Sequence, residues 1–276
     1  MRPVEKSAAA AAADETIKQC CARLYESDVA KLLLGESFHP GGLALTERLG
    51  QLLQLTAESR VLDVASGKGT SAMFLAERFG CEVIGIDYGK QNVKEANHAS
   101  ASKGLRLRAQ FQQADAGSLS FPDGSFTAVI CECAFCTFPE KATVAREFAR
   151  VLQAGGRIGM SDLMRGPALP KELDGLLAWV ACIADAQPMD KYIKCLTSVG
   201  LLIGTTELHN EALLEMVRQV RTRLLGFEIM TGLKKIDLQG LDLGSAKGMA
   251  IAAVKAIEHG QLGYAIITAE KPMTLG

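Results

Sequence analysis

The chain has 276 residues, 48% of them hydrophobic, enough to bury a sizeable core in one large domain or in a domain with an elaboration. Its formal net charge of -1 gives no reason for nucleic acid or an anionic membrane as partner, and no apolar run reaches the roughly 18 residues of a membrane span. The eight cysteines show no zinc-ribbon or finger spacing, so no metal site is expected, and they read as reduced thiols of a cytoplasmic protein.

Met1 to Asp14 carries six successive alanines, Ala8 to Ala13. A secretory signal would place bulkier apolar residues there, so the stretch reads as a disordered leader or a frayed helix start. Apolar residues at helical spacing follow over Glu15–Leu34 (Ile17, Cys20, Cys21, Leu24, Val29, Leu32, Leu33), and His39-Pro40-Gly41-Gly42 breaks that helix. A second helix is expected over Leu43–Leu55. Strict alternation then begins: strand Arg60–Ala65, helix Thr70–Phe79, strand Glu82–Asp87, helix Lys90–Lys103 and strand Ala109–Gln113. A turn through Pro122-Asp123-Gly124 leads to strand Phe126–Cys131, helix Lys141–Val151 and strand Gly156–Asp162. Gly155-Gly156 reads as a helix stop of the C′ type. Strands alternating with helical stretches of this length imply right-handed crossovers and a parallel sheet.

Beyond Asp162 helices are expected over Leu173–Cys182, Met189–Val199, Glu211–Leu225 and Ser245–His259, with strands over Leu201–Leu208 and Tyr264–Ala269. Compact domains join their elements by about six residues, so Asn210–Gly263 reads as a helical insertion before the last strand. The expected architecture is a Rossmann-like, doubly wound, mainly parallel seven-stranded α/β sheet. It divides into a leader and helical cap (1–54), a nucleoside-binding core (55–210), and a helical lobe with the final strand (211–276).

The most informative stretch is Val61-Leu62-Asp63-Val64-Ala65-Ser66-Gly67-Lys68-Gly69, with Asp87 twenty residues after Gly67 at the end of the next strand. In a parallel sheet this pairing holds a nucleoside at the carboxyl ends of the strands, the acid accepting from ribose hydroxyls. Ser71 and Ala72 stand where a dinucleotide fingerprint has its third glycine. A pyrophosphate needs that close backbone approach and a free helix N-terminus, so the ligand expected is one without phosphates, S-adenosylmethionine.

With the elements placed, the chain resembles the class I S-adenosylmethionine-dependent methyltransferases. Val61–Gly69 is similar to their first motif, Gly85-Ile86-Asp87-Tyr88 to the ribose-acid motif, Gln113-Ala114-Asp115-Ala116 to the adenine-flanking pair, and Val151–Gly156 to the turn before the fifth strand. The resemblance implies a cofactor site formed by Gly41, Gly42, Asp63, Ala65, Gly67, Gly69, Asp87, Tyr88, Asp115, Ala116 and Cys131. A finer likeness is to the arsenite methyltransferases. It rests on Cys133 before Pro139-Glu140-Lys141, and on Leu169-Pro170-Lys171-Glu172 leading to Trp179-Val180-Ala181-Cys182. It implies that Cys133 and Cys182 hold trivalent arsenic.

Thiolates suit a soft metalloid by the softness rule that governs metals. A three-thiolate set of Cys133, Cys182 and one of Cys20, Cys21 or Cys136 would aim the lone pair at the methyl. Alternation would put Cys131 and Cys133 on one side of an extended segment. No histidine–carboxylate pair is evident at the strand ends, which suits an acceptor that needs no base. Cys81 and Cys195 read as core. Three functions stay open: methylation of a metalloid, methylation of an organic small molecule such as a quinone-like ring at carbon, oxygen or nitrogen, and a non-catalytic cofactor-binding thiol sensor.

Overall fold

The computed structural model describes Gln19, 39–166, 168–173, 183, 185–232 and 243–273. The helices expected over Glu15–Leu34 and Leu173–Cys182 therefore fall, Gln19 and Leu173 apart, outside the described residues. So do Cys20, Cys21, Trp179 and Cys182.

Five short apolar runs, each returned by a helix, build the parallel part of the sheet. They are β1 (Arg60–Val64), β2 (Glu82–Asp87), β3 (Ala109–Gln113), β4 (Phe126–Glu132) and β5 (Leu152–Arg165). Two further strands, β6 (Leu202–Leu208) and β7 (Leu262–Glu270), complete a seven-stranded sheet in the order β3-β2-β1-β4-β5-β7-β6. Only β7 runs antiparallel to its neighbours, β5 on one side and β6 on the other. The mainly parallel, doubly wound sheet is thus the one expected.

The helices that return the chain are α1 (Gly42–Leu52), α2 (Thr70–Phe79), α3 (Lys90–Ser102), α4 (Lys141–Val151), α5 (Met189–Thr197), α6 (Asn210–Gly232) and α7 (Leu243–Glu258). Their apolar stripes face the sheet. In α4, Val144, Ala145, Phe148 and Val151 are all buried; burying a side chain the size of Phe148 is worth about 1.5–3 kcal/mol. Phe135 packs between Phe148 and Tyr192, with ring centroids 6.0 and 5.9 Å away, and plugs the floor beneath the exit of β4.

β1 and β4 are neighbours, yet the chain leaves β1 toward β2 and β3 and leaves β4 toward β5. Their following loops diverge, which opens a crevice over the ends of these two strands; open α/β sheets bind their ligands at such a switch point.

Some expected details differ. Helix α1 begins at Gly42, so the break is Gly41, the left-handed residue before it at φ 77. Gly155 is not a helix stop: α4 passes at Leu152 straight into β5, and Gly155, at φ 71, sits three residues on. It lies where the pairing of β4 with β5 shifts register between Phe126 and Ala128, taking up extra residues on β5. β5 outruns its expected span because it pairs with β7 from Arg157 to Arg165. The late helices are less of an insertion than their position suggests. Leu213 and Leu214 of α6 and Ala252, Ala253, Ala256 and Ile257 of α7 belong to the main core, while Leu224, Ala246 and Ala250 form a small cluster of their own.

One packing detail matters for the site. Phe111 of β3 lies against Gly85 of β2, where an added Cβ would clash with the ring and fall 2.7 Å from Ser66 Oγ. Gly85→Val is expected to destabilise by about 1–3 kcal/mol through overpacking, read as a lower denaturant midpoint. Phe111→Ala in the same chain should recover part of the loss.

Candidate active site

The turn after β1 is built tightly. Ser66 N–H donates to Ile86 O (2.9 Å) and Gly69 N–H to Ser66 O (2.9 Å), closing the loop against β2. Three residues here are left-handed: Ala65 (φ 60), Gly67 (φ 53) and Gly69 (φ 77). The two glycines serve different needs. A Cβ at Gly67 would meet nothing within 4 Å and would project into open space, whereas one at Gly69 would clash with the Phe111 ring. Gly69 is therefore a packing position and the residue before α2. Ala65 pays the steric cost of the left-handed region without glycine's freedom, and such strain tends to collect at functional sites.

Asp87, at the end of β2, accepts from Gly67 N–H at 2.8 Å through Oδ2, and from Gly89 N–H (2.8 Å) and Asn92 Nδ2 (3.2 Å) through Oδ1. The expected acid thus braces the glycine turn directly. Tyr88, half-buried, follows it, and its carbonyl accepts from Gln113 Nε2 at 3.1 Å. Asp115 accepts from Gly117 N–H (2.8 Å) in a turn closed by a bridge to Ser118, with Ala116 buried beside it. Arg150 pins the loop that follows, donating to the carbonyls of Leu119 and Phe121.

Asp63, in β1, is 3% exposed, and its Oδ2 has no hydrogen-bond partner among the described residues; neither has Ser66 Oγ. Burial pushes the Asp63 carboxyl well above the usual range, and the carboxylates of Glu132 and Asp87 add to the push. Asp162, buried in β5, accepts from Cys136 N–H (2.9 Å) and from Leu163 N–H (2.7 Å). Four carboxyl groups therefore gather at the ends of β1, β2, β4 and β5.

The cysteines of β4 do not share a face. β4 ends at Glu132, and Cys133 is left-handed (φ 53), so strand alternation does not carry through it. Cys131 is buried in the core. Burial drives its thiol well up, and the carboxylates of Asp162, Asp63 and Glu132 drive it further. Cys136 is buried and Cys133 half-buried, and no three His, Cys, Asp or Glu side chains among the described residues are placed to hold a metal ion. Cys81 is buried as expected, its thiol pushed up to about 11 mainly by that burial. Cys195 is partly buried and packs against the core.

Sequence reasoning missed a polar cluster at the mouth of the crevice. The buried Thr46 of α1 donates to Glu132 (3.1 Å to Oε2, 3.2 Å to Oε1). His39 lies 3.4 Å from both Thr46 Oγ1 and Ser71 Oγ, and its Nε2 is 3.7 Å from Glu132 Oε2. A histidine–carboxylate pair thus exists at the strand ends, contrary to expectation. The available signal was Glu132 itself, a charge at the end of an otherwise apolar central strand.

Comparison with known proteins agrees with this geometry. Residues 61–156 match a family model described as a methyltransferase domain. The chain is similar to 27-O-demethylrifamycin SV methyltransferase of Amycolatopsis mediterranei, 28% identical over 89% of this chain and 94% of that protein. It is also similar to demethylmenaquinone methyltransferase of Thermus thermophilus, 38% identical over 44% of this chain and 53% of that one. Among solved structures, the [4+2]-cyclase SpnF has the same fold, with a TM-score of 0.76 and 22% identity over 94% of this chain and 97% of that one. The matched domain and the sheet are similar to those of the class I methyltransferases. The chain is a methyltransferase, and its cofactor is S-adenosylmethionine. Among the described residues no helix is long and apolar enough to cross a membrane.

Proposed function

We propose that the enzyme methylates a small organic acceptor, at oxygen, nitrogen or carbon, in the crevice between β1 and β4. The observation that carries this reading is the convergence of Asp63, Asp87 and Glu132 on that crevice, reflected in the raised Asp63 carboxyl. S-adenosylmethionine supplies an electrophilic methyl on a sulfonium and also carries an ammonium, and a lining of carboxylates suits both charges. The orphaned Asp63 Oδ2 and Ser66 Oγ, and the open space over Gly67, fit the methionine end of such a ligand.

In this reading Asp87 holds the ribose with Tyr88 beside it, and Asp115 and Ala116 flank the adenine. Asp63, Ala65, Gly67 and Gly69 shape the methionine end, Gly41 and Gly42 close the site from α1, and Cys131 lies beneath. The enzyme works in the cytoplasm.

An organic acceptor is favoured over a metalloid for two reasons. The relatives named above carry rifamycin and menaquinone acceptors in their names. The carboxylates that suit a sulfonium oppose thiolate formation, as the raised Cys131 thiol illustrates. Fold alone does not decide, since the same sheet serves a cyclase.

The test is incubation of the full chain with methyl-labelled donor against phenols, alcohols, amines and arsenite. Label should pass to an organic probe, and the Cys133→Ser and Cys136→Ser variants should keep activity within about threefold. Methylated arsenic as the sole product, lost in Cys133→Ser, would reverse the reading.

A further inference from the structure

His39, Thr46, Ser71 and Glu132 come from four places in the chain: the turn before α1, α1 itself, the first turn of α2, and the end of β4. They meet between the glycine turn that Asp87 braces and the exit of β4, beside the crevice proposed above for the donor. We infer that His39 is the base that takes a proton from the acceptor, and that Glu132, held by Thr46, is the carboxylate that stabilises the protonated ring.

The hydrogen-bond directions support this assignment. His39 Nδ1 lies 3.3 Å from Pro40 O, an atom that can only accept, so Nδ1 carries hydrogen and Nε2 bears the lone pair of the neutral ring. Thr46 has one hydroxyl hydrogen and donates it to Glu132. Toward Nε2 it can therefore only accept. Ser71 Oγ at 3.4 Å can serve in either direction. Once Nε2 gains a proton it faces oxygens alone: Thr46 Oγ1, Ser71 Oγ and, at 3.7 Å, Glu132 Oε2. The surroundings are arranged for the imidazolium.

His39 is 9% exposed and the Glu132 side chain 5%, so solvent screens the pair little. Among the described residues, the charged groups around His39 are few. Glu132 faces it from β4, and Asp63 lies behind Glu132 on β1; α1 and α2 present hydroxyls only, from Thr46 and Ser71.

This rests on the organic-acceptor reading and narrows it to acceptors whose nucleophilic atom carries a proton, a hydroxyl foremost. The acceptor oxygen bonds to the methyl carbon as the carbon–sulfur bond breaks. The electron pair of that bond stays on sulfur, and the hydroxyl proton passes to His39 Nε2. Arsenite methylation through a lone pair on arsenic would leave His39 idle.

The test uses the full chain with S-adenosylmethionine and a hydroxyl probe. His39→Ala should lower kcat by about 100-fold while donor affinity by calorimetry stays within about threefold, its kcat/KM should lose the rise with pH, and imidazole in the buffer should restore part of the rate. Glu132→Gln should lower kcat by about tenfold and should cost little further when added to His39→Ala, because the two residues act as a pair. A pH rise that survives in His39→Ala, or losses that simply multiply in the double variant, would overturn the inference. Wild-type enzyme that methylates arsenite alone would defeat the organic-acceptor reading instead.

Discussion

Asp87→Ala should reduce affinity for S-adenosylmethionine by at least about 100-fold, measured by calorimetry, and should lower unfolding stability by about 2–4 kcal/mol. The two losses have separate origins. Oδ2 accepts from Gly67 N–H, and Oδ1 from Gly89 N–H and Asn92 Nδ2. The side chain is 9% exposed, so water cannot readily replace it for those donors. Truncation leaves two backbone donors without an acceptor, at about 1–3 kcal/mol each. It also frees the glycine turn from β2 and removes the acceptor proposed for the ribose. Asp87→Asn separates the effects: its one carbonyl oxygen can keep one of the backbone bonds, so stability should recover in part while affinity stays low. An Asp87→Ala protein that binds the donor within a few-fold of wild type would reduce Asp87 to a brace of the turn.

The alternating half of the chain was legible because its signals are local. β2, α2, α4 and β3 occupy the spans their apolar periods indicate, since each buries a continuous run or a single stripe. The misreadings arise where a long-range pairing sets the boundary. β5 runs on to Arg165 because β7 is there to pair with it, and it starts at Leu152 because that residue pairs with Phe126 of β4; nothing near either end announces its partner. Gly155 looked like a helix stop for the same reason: the register shift it serves is a property of β4 and β5 together.

The site divides along the same line. The half proposed for the nucleoside centres on one βαβ unit, with Asp115 and Ala116 just past the next strand, and the contact between Asp87 and Gly67 follows from their spacing. The half proposed for the acceptor is assembled from distant segments. Glu132 and Thr46 are 86 residues apart and His39 and Ser71 are 32 apart, and only the packing of α1 against α2 and the sheet brings them together. Cys133 misled because period-2 reasoning assumes an extended backbone, and the strand ends one residue before it.

Asp63→Asn is expected to stabilise the ligand-free protein while weakening its hold on the donor. The Asp63 carboxyl titrates well above the ordinary value of 3.8, first because it is buried and then because Glu132 and Asp87 are near. The unfolded chain ionises this group at the ordinary value, and the folded chain resists. Stability is therefore lost as pH rises from about that value through the raised native one, and the loss is fully present above it. Asparagine removes the effect. At pH 3 the thermal midpoints of wild type and variant should nearly coincide, whereas at neutral pH the variant should be more stable by about 1–3 kcal/mol. Donor binding should show the opposite preference. A cation that pairs with Asp63 favours its ionised form, so wild-type affinity should climb with pH across the range where Asp63 gives up its proton, and that slope should flatten in Asp63→Asn. A variant less stable than wild type at neutral pH would mean that the buried carboxyl contributes to the fold. A wild-type affinity that ignores pH would mean that the donor's charge lies elsewhere. Both results as expected would identify Asp63 as a group whose placement is unfavourable until the cofactor arrives, a cost in stability that binding offsets.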